Sequence, residues 1–137
     1  MRKFSRVLIK QDDKFLLLKE THGFWNFPGG KVEPNEVPKN CAKRESFEEI
    51  GIVLHDISLL DSCVFLIDDE HWEGWFYFAH DYSNQPIAKE RKTLDIQFEA
   101  LNNVHFHMEI RKYLDKISTL LKDLPNSERT EQGVYRA

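Results

Sequence analysis

Apolar residues cluster near the start of the chain in two short uninterrupted runs, Val7-Leu8-Ile9 and Phe15-Leu16-Leu17-Leu18, separated by Gln11-Asp12-Asp13-Lys14. The spacing predicts a hairpin, and runs without polar alternation predict strands covered on both faces. A loop over Thr21 to Asn26 leads into Phe27-Pro28-Gly29-Gly30, where proline and two glycines halt regular structure. A helix is expected from Val37 to Ile50, with Asn35 as N-cap, Pro38 in the first turn and Gly51 at the left-handed C-terminal position. Strands follow at Ile57–Leu60, Cys63–Ile67 and Trp72–Tyr82, with Asp68-Asp69-Glu70 as a turn, and Asp95 to Glu99 alternates as a half-exposed strand does. Ile110, Tyr113, Leu114, Ile117, Leu120, Leu121 and Leu124 repeat at i, i+3, i+4 and i+7, one amphipathic helix packed on the sheet and ended by Pro125. The order of elements predicts an α/β fold, a helix–sheet–helix sandwich with a mixed β-sheet.

Composition narrows the class. At 137 residues the chain is one domain, residues 1–124, with a loose polar tail over 125–137. Apolar residues at 41% and charged residues at 31% exclude disorder for the bulk of it. A formal charge of -4 argues against a stable nucleic-acid partner, yet leaves a nucleotide substrate open, because a bound divalent cation inverts the local field. Two cysteines, Cys41 and Cys63, with no CxxC or CxxH spacing, indicate neither a disulfide scaffold nor structural zinc. The opening MRKFSRVLIK lacks the apolar stretch of a signal peptide, and Cys63–Ile67 is too short to span a bilayer. The expectation is a cytoplasmic protein with no membrane partner, with a homodimer as the open alternative to a monomer.

The chemistry concentrates between Gly29 and Ile52. Glu45, Glu48 and Glu49 stand at i, i+3 and i+4, so a helix presents three carboxylates on one face. Like charges so close destabilise a helix and raise one another's pKa unless a cation neutralises them. Oxygen donors without thiol or imidazole point to Mg²⁺ or Mn²⁺. A solvated acidic face is the competing explanation for the same spacing. Arg44 lies beside Glu45 and two turns after Glu36, an arrangement able to pin the preceding loop to the helix through an arginine–carboxylate pair.

Gly30, Glu36, Arg44, Glu45, Glu48, Glu49, Gly51 and Ile52 resemble, at every spacing, the signature of the Nudix hydrolases, and Trp25-Asn26-Phe27-Pro28-Gly29 is similar to that family's lead-in. Two positions depart from it. Ser46 stands where the family has an aliphatic residue, with Phe47 one position later, and Asn35 stands where glycine is commonest. Asn tolerates positive φ, so the loop is expected to survive. Phe47 is expected to be substantially buried, against the last helix or a subunit partner.

The resemblance implies a Nudix-type domain with its signature over 30–52, and metal-assisted hydrolysis of a nucleoside diphosphate linked to another group. It implies Glu45, Glu48, Glu49 and the Gly30 carbonyl as ligands of Mg²⁺ (or Mn²⁺), Arg44 with Glu36 as the pair that orients them, and Glu48 as general base, with the loop residue Glu90 as the alternative base. A nucleoside di- or triphosphate, including oxidised nucleotides, is the substrate class it most resembles. A sugar nucleotide of ADP-ribose type and a non-catalytic nucleotide-binding module are the alternatives. Trp25 is the candidate for base stacking and Asn26 for reading a base edge, beside Gly29 and Gly30 at the phosphates. Phe24, Trp72, Trp75, Phe76 and Tyr77 are read mainly as core. His105 and His107 read as surface or capping residues, and Cys41 has no activating partner in sequence.

Overall fold

A computed structural model describes residues 1–130 and 133–135. The strands begin with β1 (Arg2–Leu8), β2 (Lys10–Gln11), β3 (Lys14–Glu20), β4 (Trp25–Asn26) and β5 (Gly29–Lys31), followed by helix α1 (Pro38–Ile50). Next come β6 (Val53–Leu54), β7 (Ile57–Ile67), β8 (Glu70–Ala79), β9 (Asp81–Ser83) and β10 (Thr93–Glu99). The chain closes with a 3-10 turn (Leu101–Asn103), helices α2 (Met108–Lys116) and α3 (Ser118–Asp123), and β11 (Glu128–Thr130).

The central sheet is mixed, in the order β5-β1-β8-β7, with β1 and β8 parallel and the outer pairs antiparallel. A second sheet runs β10-β3-β2, with β4 on β3, and a third runs β11-β9-β6. The uninterrupted apolar runs are covered on both faces, as expected. Phe4, Leu8, Phe15, Leu17, Phe76 and Phe78 face α2 and α3 in one core cluster. Their alternates, Val7, Ile9, Leu16, Leu18, Tyr77 and Ala79, join Ala42 and Ile50 of α1 in another. Strict period-two alternation thus feeds two cores from the same strands and produces the expected sandwich.

Several local expectations are corrected. The first hairpin is confined to β2 and β3, where Lys10 opposes Phe15 and Gln11 opposes Lys14, because β1 turns away to pair with β5 and β8. The two strands read at 57–60 and 63–67 are one, β7, interrupted only by a register shift between Leu59 and Asp61. The strand read through Tyr82 divides into β8 and β9. Asn35 is not the N-cap. That position is Val37, without a side-chain cap, and Asn35 instead takes φ 65° in the loop, the role in which it was expected to replace glycine. Pro38 and Gly51 stand where predicted, Gly51 at φ 74° closing the helix on the Phe47 carbonyl.

The single C-terminal helix is two, α2 and α3, broken at Ile117 (φ -100°, ψ 16°). The apolar stripe runs through the break because both pieces pack on the same core, so periodicity alone did not reveal it. Nor is the tail wholly loose. Ser127 donates to the Ala79 carbonyl at 2.6 Å, and β11 pairs in parallel with β9. The tail residues Glu131, Gln132, Arg136 and Ala137 lie outside the described residues.

Candidate active site

β5 lies antiparallel to β1, with Gly29 opposite Arg6 and Gly30 opposite Ser5. Gly29 has φ 146°, and a Cβ there would sit 2.0 Å from the Ser5 carbonyl, so no other residue fits. At Gly30 a Cβ would strike the Glu45 carboxyl at 2.5 Å. The two glycines therefore bring strand backbone directly against the carboxylates of α1.

Arg44 organises those carboxylates. It grips Glu36 bidentately, Nε to Oε2 at 2.7 Å and Nη2 to Oε1 at 3.0 Å, and reaches Glu45 Oε1 at 2.8 Å and Glu48 Oε2 at 3.1 Å. Its Nη2 also donates to the Lys31 carbonyl at 3.2 Å, tying the loop after the glycines to the helix. The Arg44 guanidinium beside Glu36 holds that carboxyl below its usual range. Burial pushes Glu45 up despite Arg44. The Cys41 thiol on the same helix is pushed up to about 11 by burial, which makes it a poor nucleophile.

Glu49 is fully buried. Its Oε1 accepts from the Gly29 N–H at 3.2 Å, while Oε2 has no hydrogen-bond partner among the described residues. Loss of solvent raises its pKa to about 7, against the attraction of Arg6, Lys92 and the Gly29 N–H. Lys92 Nζ lies 3.6 Å from Glu49 Oε2 and 3.8 Å from Glu90 Oε1, bringing the loop glutamate to the edge of the cluster.

As arranged, no three His, Cys, Asp or Glu side chains among the described residues converge to hold a metal ion, because Arg44 stands between Glu45 and Glu48. The donor set nonetheless fits a hard divalent cation. It is all oxygen, it includes a buried carboxylate oxygen without a hydrogen-bond partner among the described residues, and Gly30, lacking a Cβ, lets the Glu45 carboxyl lie against the strand backbone.

Next to this cluster is a cleft of about 210 Å³ lined by Phe4, Arg6, Phe24, Trp25, Asn26, Gly30, Lys31 and Trp72, with His22 and His107 at its side. Trp25, Asn26 and Gly30 are thus brought into one cavity, whose wall at Gly30 is also a wall of the carboxylate cluster. Asn26 spends its Oδ1 on the Phe27 N–H at 2.9 Å, leaving the amide nitrogen as its donor for a ligand. Of the other aromatics, Phe76 and Tyr77 are core, and Trp75 is half-buried with its Nε1 on Glu73. His107 caps α2 by accepting from the Glu109 N–H.

Phe47 requires a correction. It is partly covered, but by the tail and a loop rather than by the last helix, with Lys89 over its ring. Tyr135 stacks on it. Ser46, its neighbour, takes the fully buried position on the core face of α1.

Sequence reasoning missed Arg6 and Lys92. Arg6 had a signal, since it alternates with Phe4 and Leu8 on the inward face of β1, where a cation needs a reason. Lys92 had none. It belongs to a charged loop, and only the fold brings it to Glu49.

Residues 1–119 match the sequence profile of the NUDIX domain, and the chain belongs to that family. It is similar to a relative from Proteus vulgaris named 8-oxo-dGTP diphosphatase, 40% identical over 68 residues, which are 50% of this chain and 61% of the relative. The match thus takes in less than two thirds of that relative's length. A putative 8-oxo-dGTP diphosphatase of Bacillus subtilis, YtkD, is 32% identical over 120 residues, 85% of this chain and 71% of the relative. Among solved structures, the MutT NUDIX hydrolase from Burkholderia pseudomallei aligns with TM-score 0.75 and 29% identity, over 85% of this chain and 97% of that one. No helix among the described residues is long and apolar enough to cross a membrane.

Proposed function

We propose that this chain hydrolyses a phosphoanhydride bond of a nucleoside di- or triphosphate, releasing a nucleoside monophosphate, with Mg²⁺ or Mn²⁺ as cofactor. The observation that carries this reading is Gly30, shared between the carboxylate cluster and the aromatic cleft. At about 210 Å³ the cleft suits a base rather than a whole nucleotide, the ordinary pocket for a drug-sized ligand being about 300 Å³ or more. The phosphates then lie over Gly29 and Gly30, within reach of Glu45, Glu48 and Glu49.

Those three carboxylates and the Gly30 carbonyl would hold the metal. When bound, it neutralises the charge that shields the diphosphate and polarises its P–O bonds. The chain's own residues do the rest. Trp25 stacks on the base and Asn26 donates to its edge. Arg44 keeps Glu45 and Glu48 in place by holding Glu36 on its other side. Arg6 and Lys92 add positive charge beside the phosphates. Glu48, the most exposed of the three helix carboxylates at 46%, takes the proton of the attacking water.

A second assignment of the base has its own support. Glu90 Oε1 is buried without a hydrogen-bond partner among the described residues and sits across Lys92 from Glu49. Relatives named 8-oxo-dGTP diphosphatase make an oxidised purine nucleotide the first substrate to assay. The test is a nucleotide panel, sugar nucleotides included, with and without Mg²⁺, for the native chain and for Glu48→Gln and Glu90→Gln. The expected result is metal-dependent release of nucleoside monophosphate that collapses in Glu48→Gln. Undiminished hydrolysis in excess EDTA contradicts the metal role, and no turnover of any nucleotide contradicts the hydrolase reading.

A further inference from the structure

The Phe47 ring joins two segments far apart in sequence. Tyr135 stacks on it with centroids 4.7 Å apart and 11° between planes, and Lys89 Nζ lies 4.4 Å from the same centroid. Lys89 reaches the ring by laying its stem over Gly51, where an added Cβ would come within 3.3 Å of its Cδ. The loop carrying Lys89 is also tied to the helix end through its backbone. The Ile87 N–H donates to the Ile50 carbonyl at 2.9 Å and the Lys89 N–H to the Glu49 carbonyl at 3.0 Å. Asn84 bridges the helix end and the tail, donating to the Gly51 carbonyl at 3.2 Å and the Gly133 carbonyl at 3.3 Å. Glu90 and Lys92 follow directly, beside Glu49.

We infer that Phe47, Lys89 and Tyr135 form a clamp that holds the loop from Asn84 to Lys92 against the end of the carboxylate helix. Phe47 is then a positioning residue that acts through Glu90 and Lys92. Two backbone hydrogen bonds at a helix terminus open readily when no side chain anchors them. An aromatic stack and a cation over the same ring supply that anchor. The departure from the family pattern at Ser46 and Phe47 thereby has a purpose in this chain: the large ring leaves the core face for the side of the helix where loop and tail meet. The kinetic consequence of the clamp rests on the hydrolase reading, but the clamp itself does not.

The experiment is amide hydrogen exchange on the metal-free full chain for Phe47→Leu, Lys89→Met, Tyr135→Ala and Tyr135→Phe. Exchange at the Ile87 and Lys89 amides is expected to rise about tenfold in the first three, the worth of one such aromatic contact. The Cys41 amide, inside α1, should keep its native rate, and Tyr135→Phe should behave as the native chain. The Phe47→Leu/Lys89→Met double variant should exchange no faster than the slower-closing single one, since both remove one contact. The inference is overturned if Lys89→Met or Tyr135→Ala leaves Ile87 and Lys89 at native protection, or if the two single effects add. In the loaded chain the same variants should lower kcat by a larger factor than they raise nucleotide KM, because Trp25, Asn26 and the Gly29–Gly30 turn stay in place while Glu90 and Lys92 shift. Native exchange behaviour as expected, with no nucleotide hydrolysed, would leave the clamp standing and remove the hydrolase reading.

Discussion

The two helices that flank the central sheet are built on opposite logic. α2 carries what a helix is expected to carry: a capping side chain at His107, Glu109 in its first turn, Lys116 in its last, and a buried stripe of Ile110, Tyr113 and Leu114. α1 has no side-chain cap, no acid in its first turn and no base in its last, and its buried face includes Ser46 and Glu49. Local sequence stabilises α2, whereas α1 is held by what surrounds it: Arg44 gripping the preceding loop, Gly51 closing its end, and backbone contacts from the loop after β9. Where a helix breaks the rules of its own kind, the broken positions are the ones to suspect of chemistry.

The largest expected effect divides the helices by readout. Glu48→Gln on α1 should lower kcat by about 10²–10⁴-fold, the usual worth of a general base, while melting stays the same or rises slightly as a like charge is removed. Leu114→Ala on α2 should do the reverse. It empties a fully packed site and costs about 2–5 kcal/mol in a denaturation curve, with kcat per folded molecule unchanged. If Glu48→Gln kept its rate, or Leu114→Ala lost rate without losing stability, the division would be wrong.

A second effect belongs to Glu49 and is read by pH. Its folded-state pKa, about 7, stands above the ordinary 4.5 because it is buried. Stability from the protonated carboxyl is therefore fully present below pH 4.5 and is lost as pH rises through about 7. The loss is on the order of 3 kcal/mol for a displacement from 4.5 to about 7. Metal-free native protein should fall in stability across that window, and Glu49→Gln should stay flat. Adding Mg²⁺ at neutral pH should recover part of the loss, because a cation takes the proton's place. A native curve parallel to that of Glu49→Gln would show that Glu49 is not buried in this state.

What could be read in advance follows the same division. The strands were legible because two covered faces leave a continuous apolar run, and α2 with α3 because one stripe faces one core. The spacing of Gly30, Glu36, Arg44, Glu45, Glu48 and Glu49 was legible through its resemblance to the Nudix signature, since an acidic helix face alone is equally that of a solvated helix. The break at Ile117 was not, since its residues satisfy either helix. Lys92 and Tyr135 were not either. Each enters the site region from a distant segment, and nothing local marks a lysine that will face a buried glutamate or a tyrosine that will stack on Phe47.

A smaller effect tests the cleft beside α1. Trp25→Ala removes a stacking surface worth about 1–3 kcal/mol for any base. Nucleotide KM should rise roughly tenfold or more with kcat little changed, the mark of binding made equally in ground and transition states. A fall in kcat at constant KM would place Trp25 in the chemistry rather than in base binding.

The smallest effect comes from the core face of α1. Ser46 is fully buried, and its hydroxyl has no hydrogen-bond partner among the described residues. Such a group carries a desolvation penalty of about 1–3 kcal/mol, and serine is also a poorer helix former than alanine by a few tenths of a kcal/mol. Replacing it should therefore stabilise, unlike truncation at any apolar position of α2. Ser46→Ala removes one oxygen, so the gap it leaves is smaller than that left by a deleted leucine side chain. The expected result is a gain of about 1 kcal/mol, seen as a higher urea midpoint at unchanged slope, with kcat unaffected because the hydroxyl bonds to none of the carboxylates. A loss of stability would mean that the hydroxyl is bonded after all, and that this face of α1 follows the same packing rules as α2.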